Sequence, residues 1–180
     1  MSKKNSRLSD IIYECFPSGE IFLNEVIEIF KKHNSDISSE THIGKNKNLK
    51  SNDVLKILSN DLESIGYKVE KGKSQQHKIT FTVPGTDQKF DVDAYNDTTK
   101  TIIEVEAGRG WANNQFLKDL FEACAISDIE YLVIAVKKIY QISNQPEKKD
   151  YVNVRNYIDT LYKSRVRNMI PLKGILMIGY

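Results

Sequence analysis

Residues 90–106 read FDVDAYNDTTKTIIEVE, and their period is two. Phe90, Val92 and Ala94 alternate with Asp91 and Asp93, and Ile103 and Val105 alternate with Glu104 and Glu106. In a strand, such alternation sends successive side chains to opposite faces. Asn96–Lys100 has turn composition, so the two runs form a hairpin. A turn centred between Thr98 and Thr99 sets Asp93 opposite Glu104 and Asp91 opposite Glu106. Four carboxylates then share one face, with cross-strand neighbours about 5 Å apart, and like charges so placed repel. One reading is a solvated face, although such faces usually mix Thr, Lys and Gln with their acids. The other is a divalent cation, because Mg²⁺ takes hard oxygen ligands, typically one or two carboxylates with water and phosphate oxygens.

Upstream, Leu8, Ile11, Ile12, Cys15 and Phe16 recur at helical spacing, and a second helical pattern covers about residues 20–33. Residues 34–50 are polar and read as a loop. Ser51 is a candidate N-cap with Asp53 in the first turn, and Val54, Leu55, Leu58, Leu62 and Ile65 continue that helix to Gly66. Residues 78–83 form a further alternating strand. Downstream come a helix over about residues 112–126, the apolar strand Tyr131–Val136, a helix near 150–164 and a closing strand over 174–180. This order predicts a single mixed α/β domain over 1–180. A helical N-terminal part (about 1–66) precedes an α/β core (about 51–180) whose mixed central sheet is flanked by helices.

The 180 residues, 40% hydrophobic and 28% charged, suit an ordinary folded chain rather than a disordered one. No apolar run approaches a bilayer span, the N-terminus lacks the apolar core of a secretion signal, and Cys15 and Cys124 read as reduced core residues. The expected setting is cytoplasmic, without membrane contact. Net charge is +2, but unevenly spread. Residues 87–130 carry 4 basic and 10 acidic side chains, whereas residues 131–180 carry 9 basic and 3 acidic. No Cys/His zinc spacing, Gly-rich phosphate loop or Ser/His/Asp signature is present.

Asp93, a turn, and Glu104-Val105-Glu106 after Ile102-Ile103 resemble the active-site hairpin of the PD-(D/E)xK nuclease superfamily. The resemblance covers about residues 51–136 and includes a helix bearing Glu63 before the hairpin, then a helix and an apolar strand after it. It implies a restriction-endonuclease-like core and a Mg²⁺-dependent DNA endonuclease, most simply a type II restriction-type enzyme, with Mn²⁺ able to substitute. By resemblance, Asp93, Glu104 and the Val105 carbonyl hold the metal. Glu106 stands where the family has lysine, a Glu-x-Glu variant. It would orient or deprotonate water or join a second metal position. Gln115 and Lys118, on the following helix, are candidates to act beside the metal, and Glu63 and Asp91 are candidate outer carboxylates.

Two glycines flank Arg109 beside the hairpin exit, where Arg109 could meet a phosphate bidentately. Lys137, Lys138, Arg155, Lys163, Arg165 and Arg167 are candidates to follow a DNA backbone. A second basic group comprises Lys45, Lys47, Lys50, Lys68, Lys71 and Lys73. The implied partners are double-stranded DNA and a second copy of the chain, since a double-strand cut needs two sites. A repair or junction-resolving nuclease of the same fold, and a non-catalytic DNA- or protein-binding module, are the alternatives.

Overall fold

The computed structural model describes residues 8–18, 21–42, 48–72, 78–108, 111, 113–141 and 146–180. Three parallel strands form its centre: β6 (Thr101–Glu106), β7 (Tyr131–Val136) and β8 (Gly174–Gly179). They are covered on both faces, so YLVIAV and GILMIG are continuous apolar runs rather than alternating ones. Antiparallel strands extend the sheet both ways: β1 (Ile12–Phe16) on β8, and β5 (Ala94–Asn96) then β2 (Lys68–Val69) beyond β6. The order is β1-β8-β7-β6-β5-β2. A separate two-stranded sheet pairs β3 (Ile79–Thr82) with β4 (Lys89–Val92).

Side chains from the two faces fall into two cores. Ile103, Val105, Val133, Ala135, Leu176 and Ile178 pack with α1 (Asn24–Lys32), α2 (Asn34–Ile37) and α3 (Ser51–Ser64). Ile102, Leu132, Ile134, Ile175 and Met177 pack with α4 (Gln115–Ala125) and α5 (Asp150–Lys163). The result is a mixed α/β fold, a central mixed sheet between helices.

The N-terminal part departs from the sequence reading. Residues 12–16 are a strand, because five consecutive residues pair with β8 while Cys15 joins one core and Phe16 the other. Spacing of apolar residues at i, i+3 and i+4 cannot separate that from a helix over so short a run. The second helix starts only at Asn24, and residues 34–37 add a short turn of helix inside the expected loop. Lys50 rather than Ser51 caps α3, and Asp53 accepts its N–H at 2.9 Å. Cys15 is buried but on β1, and Cys124 is half-buried on α4; both are free thiols.

Glycines bound β8 because neighbours leave no room for a side chain. A methyl group at Gly174 would lie 2.5 Å from the Phe22 ring and 3.2 Å from the Phe16 carbonyl oxygen. Phe22 is itself held against Tyr131, their ring centroids 5.2 Å apart. Gly174→Ala should therefore cost about 1–3 kcal/mol through overpacking. Chemical denaturation of the variant checks this, and an unchanged midpoint would contradict it.

Candidate active site

The hairpin has the expected register but not the expected continuity. Ala94 pairs with Ile103, Tyr95 with Ile102 and Asn96 with Thr101, which carries Asp93 to the position opposite Glu104. Asp93 itself lies between β4 and β5, where the chain leaves one sheet for the other. Its backbone carbonyl accepts from Glu70 N–H at 2.8 Å, and its carboxylate Oδ2 accepts from Val105 N–H at 2.8 Å. The side chain thus supplies an acceptor for β6 where strand pairing with β5 stops, meeting the requirement that buried amides be paired.

Glu104 shares the α4 face of β6 with Ile102. Two acids that the sequence reading did not single out as site residues meet it there, Asp119 and Glu122 on α4. Glu104, Asp119 and Glu122 are 8%, 2% and 4% exposed, and each keeps one buried carboxylate oxygen without a hydrogen-bond partner. Burial, then the charges of Asp93, Asp119 and Glu122, pushes the Glu104 carboxyl well above the ordinary range. Burial likewise raises Asp93 against the opposing Val105 hydrogen bond, and raises Asp119 against the pull of Lys118. Glu106, further along the same face and partly open to solvent, is pushed up to about 8 by burial and then by Asp119 and Asp93.

Among the described residues, Lys118 is the cation placed among these acids. Its Nζ lies 2.7 Å from Glu122 Oε1, and its charge reaches Asp93, Glu104, Glu106 and Asp119. Burial works against the ammonium, but Glu122, Asp119 and Glu104 hold its pKa above the usual value. Gln115 makes only a long contact to Asp119 Oδ1, 3.4 Å. The Tyr180 hydroxyl donates to the Glu106 carbonyl at 3.3 Å, and Ala107 N–H donates to Ser51 Oγ at 3.3 Å, tying the hairpin exit to the start of α3. A cavity of about 200 Å³ lies between them, lined by Lys50, Ser51, Glu106, Ala107, Gly108 and Tyr140.

Other expected positions fall elsewhere. Asp91 is not opposite Glu106: it has left with β4, opposite Thr80, and pairs with Lys78 and the Thr80 hydroxyl. Glu63 is paired with Lys71 at 2.6 Å, and Glu70 is the acid whose charge reaches Asp93 from that side. Trp111 stacks on Phe116, and its backbone N–H is bonded to the buried Asp150. Arg109, Lys45, Lys47 and Lys73 lie outside the described residues.

Three of the six cations expected to follow DNA, Lys137, Lys138 and Arg155, are engaged within the fold. Lys137, 1% exposed, donates to Leu49 O at 3.0 Å and Asn48 Oδ1 at 3.3 Å, and burial lowers its pKa to about 8. Lys138, 7% exposed, donates to Ser9 Oγ at 2.7 Å and Asp10 O at 3.0 Å and meets Glu40 at 3.1 Å. Arg155 forms a two-pronged pair with Glu14, both contacts 2.7 Å. Tyr151 N–H bonds Lys137 O, so α5 starts at the carboxylate end of the sheet and runs away from it for about 21 Å. Lys163, Arg165 and Arg167 therefore lie at the far end, where Lys173 N–H returns to Glu130 O.

Among the described residues no three Asp, Glu, His or Cys side chains stand close enough to wrap a metal ion by themselves. The donors suit a hard cation nevertheless: all are oxygens, and Asp93 and Glu104 face each other across the strand junction, Glu104 with an orphaned oxygen. One or two carboxylates, completed by water and phosphate oxygens, are what Mg²⁺ ordinarily takes.

Asp93, Glu104, Glu106 and Asp119 all hold a proton more readily folded than unfolded. From about pH 4 upward these four groups therefore bind more protons in the folded chain than in the unfolded one, and through them stability falls as pH rises through the folded-state values, about 8 for Glu106. Thermal melts without divalent ions should give a lower Tm at about pH 8 than at about pH 5.5, with Glu104→Gln reducing the fall. A wild-type Tm that rises across this interval would contradict the electrostatic account.

No family model matches the sequence, and no curated protein matches it. Among solved structures, the chain is similar to the restriction endonuclease BglII, crystallised in complex with a DNA 16-mer. The TM-score is 0.55 at 16% identity, over 95% of this chain and 76% of that one. The fold is restriction-endonuclease-like.

Proposed function

We propose that the chain is a divalent-cation-dependent DNA endonuclease of the restriction type. The observation that carries the reading is Asp93 set opposite Glu104 across the β5–β6 pairing, Glu104 buried and Asp93 half-buried, in a restriction-endonuclease-like fold. Asp93, Glu104 and the Val105 carbonyl would hold Mg²⁺ or Mn²⁺. The chemistry supplied by such a cation is polarisation of the scissile phosphodiester and acidification of water. Glu106, at the open edge of the cluster, would take the proton from the attacking water. Lys118 faces the same acids from α4 and takes the electrostatic part that a lysine at position 106 would have played. The DNA strand enters over the Glu106 cavity, with Lys50 at its rim. A second copy of the chain supplies the second cut.

A non-catalytic module is favoured by one specific observation, that Lys118 is already engaged by Glu122. Supercoiled plasmid separates the two readings. The wild-type chain should nick and linearise it with Mg²⁺ or Mn²⁺, while Asp93→Asn and Glu104→Gln should not cut yet still bind. Lys118→Ala should slow cutting about 10²-fold. Binding without cutting under either metal would leave the module reading standing, and discrete fragments from a long DNA would favour restriction over repair.

Because Lys163, Arg165 and Arg167 lie at the far end of the sheet, reversing Arg165 and Arg167 together to Glu should leave cutting rates within about twofold. A fall in affinity with a shallower salt dependence would instead return the DNA path to that end.

A further inference from the structure

Beyond Ile103 the strand that carries the site has lost β5 as a neighbour, and side chains take over from the ladder. Asp93 accepts from the Val105 amide. The peptide unit that joins Glu106 to Ala107 then has both of its polar groups taken by hydroxyls. Tyr180 donates to the Glu106 carbonyl, and Ser51 Oγ accepts from Ala107 N–H, each at 3.3 Å. Tyr180 directly follows β8, and Ser51 is the first residue of α3.

Each hydroxyl stands on a fixed support. The Tyr180 side chain is fully buried, its ring centroid 6.4 Å from that of Phe30. Its N–H donates to Val136 O at 3.1 Å, and its carbonyl accepts from Lys138 N–H at 2.8 Å and Ser39 Oγ at 2.7 Å. Ser51 is held by the start of α3, where Lys50 N–H donates to Asp53 and the buried Lys137 ammonium donates to Leu49 O at 3.0 Å.

Packing and capping do not account for these hydroxyls. A phenylalanine would fill the place of Tyr180 beside Phe30 and Ile178 without burying a phenol. Lys50, not Ser51, stands at the cap of α3, so the Ser51 hydroxyl is not needed to start that helix. A peptide unit gripped at both its carbonyl and its amide resists rotation, and that rotation would swing the end of β6 and Glu106 with it.

We propose that Ser51 and Tyr180 are positioning residues for Glu106, their hydroxyls gripping the following peptide unit and holding the Glu106 carboxylate at the open edge of the acid cluster. The assignment rests on the nuclease reading, in which Glu106 acts on water. Such alignment governs turnover more than substrate binding.

The experiment follows hydrogen exchange of the Ala107 amide by NMR and steady-state nicking of supercoiled plasmid with Mg²⁺, both on the full chain. Tyr180→Phe and Ser51→Ala should each speed exchange at Ala107 about tenfold, leaving the amides of β7 unchanged. Each should also lower kcat about tenfold with KM within twofold. Ser51→Thr, which keeps the hydroxyl, should restore both. Ser51→Ala, at a half-buried position, carries the test should Tyr180→Phe not fold. Unchanged exchange at Ala107 in every folded variant, or a loss carried by KM, overturns the proposal. Variants that nick as fast as an active wild type overturn the positioning and leave the nuclease reading. A wild type that cuts nothing overturns the nuclease reading, while faster exchange at Ala107 in the variants still supports the grip on the peptide.

Discussion

The bond from Val105 N–H to the Asp93 carboxylate joins the fold to the site. At Asp93 the chain leaves the small β3–β4 sheet for the main one, and a strand that splits in this way deprives its neighbour of a ladder partner. The Asp93 side chain fills that place, which fixes it on the α4 face of β6 directly across from Glu104. An acid is suited to this because it can accept one backbone amide and still present its second oxygen. The kink that would otherwise weaken the sheet is therefore what positions the acid pair. It also releases Asp91 into an ordinary pair with Lys78, so the cluster is narrower than an unbroken hairpin would have made it.

Around that bond the structure accepts an electrostatic cost. Glu104 and Asp119 are buried beside other acids, and among the described residues the compensation within reach is one ammonium and a few hydrogen bonds. Hydrophobic side chains of similar volume would serve stability better, since buried ionic groups seldom repay their desolvation. Protons balance the cluster at low pH, so the acids link folding to pH. Perturbed carboxyls of this kind are also common at functional sites, which is why their position in a restriction-endonuclease-like fold has weight.

What was legible in the sequence was local. The period-two runs and the turn between them fix the Ala94–Ile103 register, and with it the facing of Asp93 and Glu104. β7 and β8 could be read because continuous apolar runs leave few choices. β1 could not, because its five residues satisfy helical and extended spacing alike, and pairing with β8 at the far end of the chain decides between them. Asp119 and Glu122 were obscured for a different reason. A polar stripe on a helix ordinarily faces water, and only the packing of α4 onto β6 turns this one inward. The legible signal was the polar series Gln115, Lys118, Asp119 and Glu122 beside a strand rich in acids.

The basic C-terminal third shows that a charge count does not say where the charges stand. Its excess of lysine and arginine suggested a surface for phosphates, yet Lys137 and Lys138 end inside the fold, clasping the segments before α3 and β1. Arg155 holds β1 to α5 through Glu14. These cations meet backbone carbonyls and single acids contributed by distant parts of the chain, so they organise the N-terminal segments around the sheet. The negative centre is different in kind, because its charges face one another rather than partners of opposite sign. A linear sequence displays both as blocks of like charge. Only the folded chain separates cations engaged within the fold, as Lys137, Lys138 and Arg155 are, from acids that face one another beside the Asp93–Val105 bond.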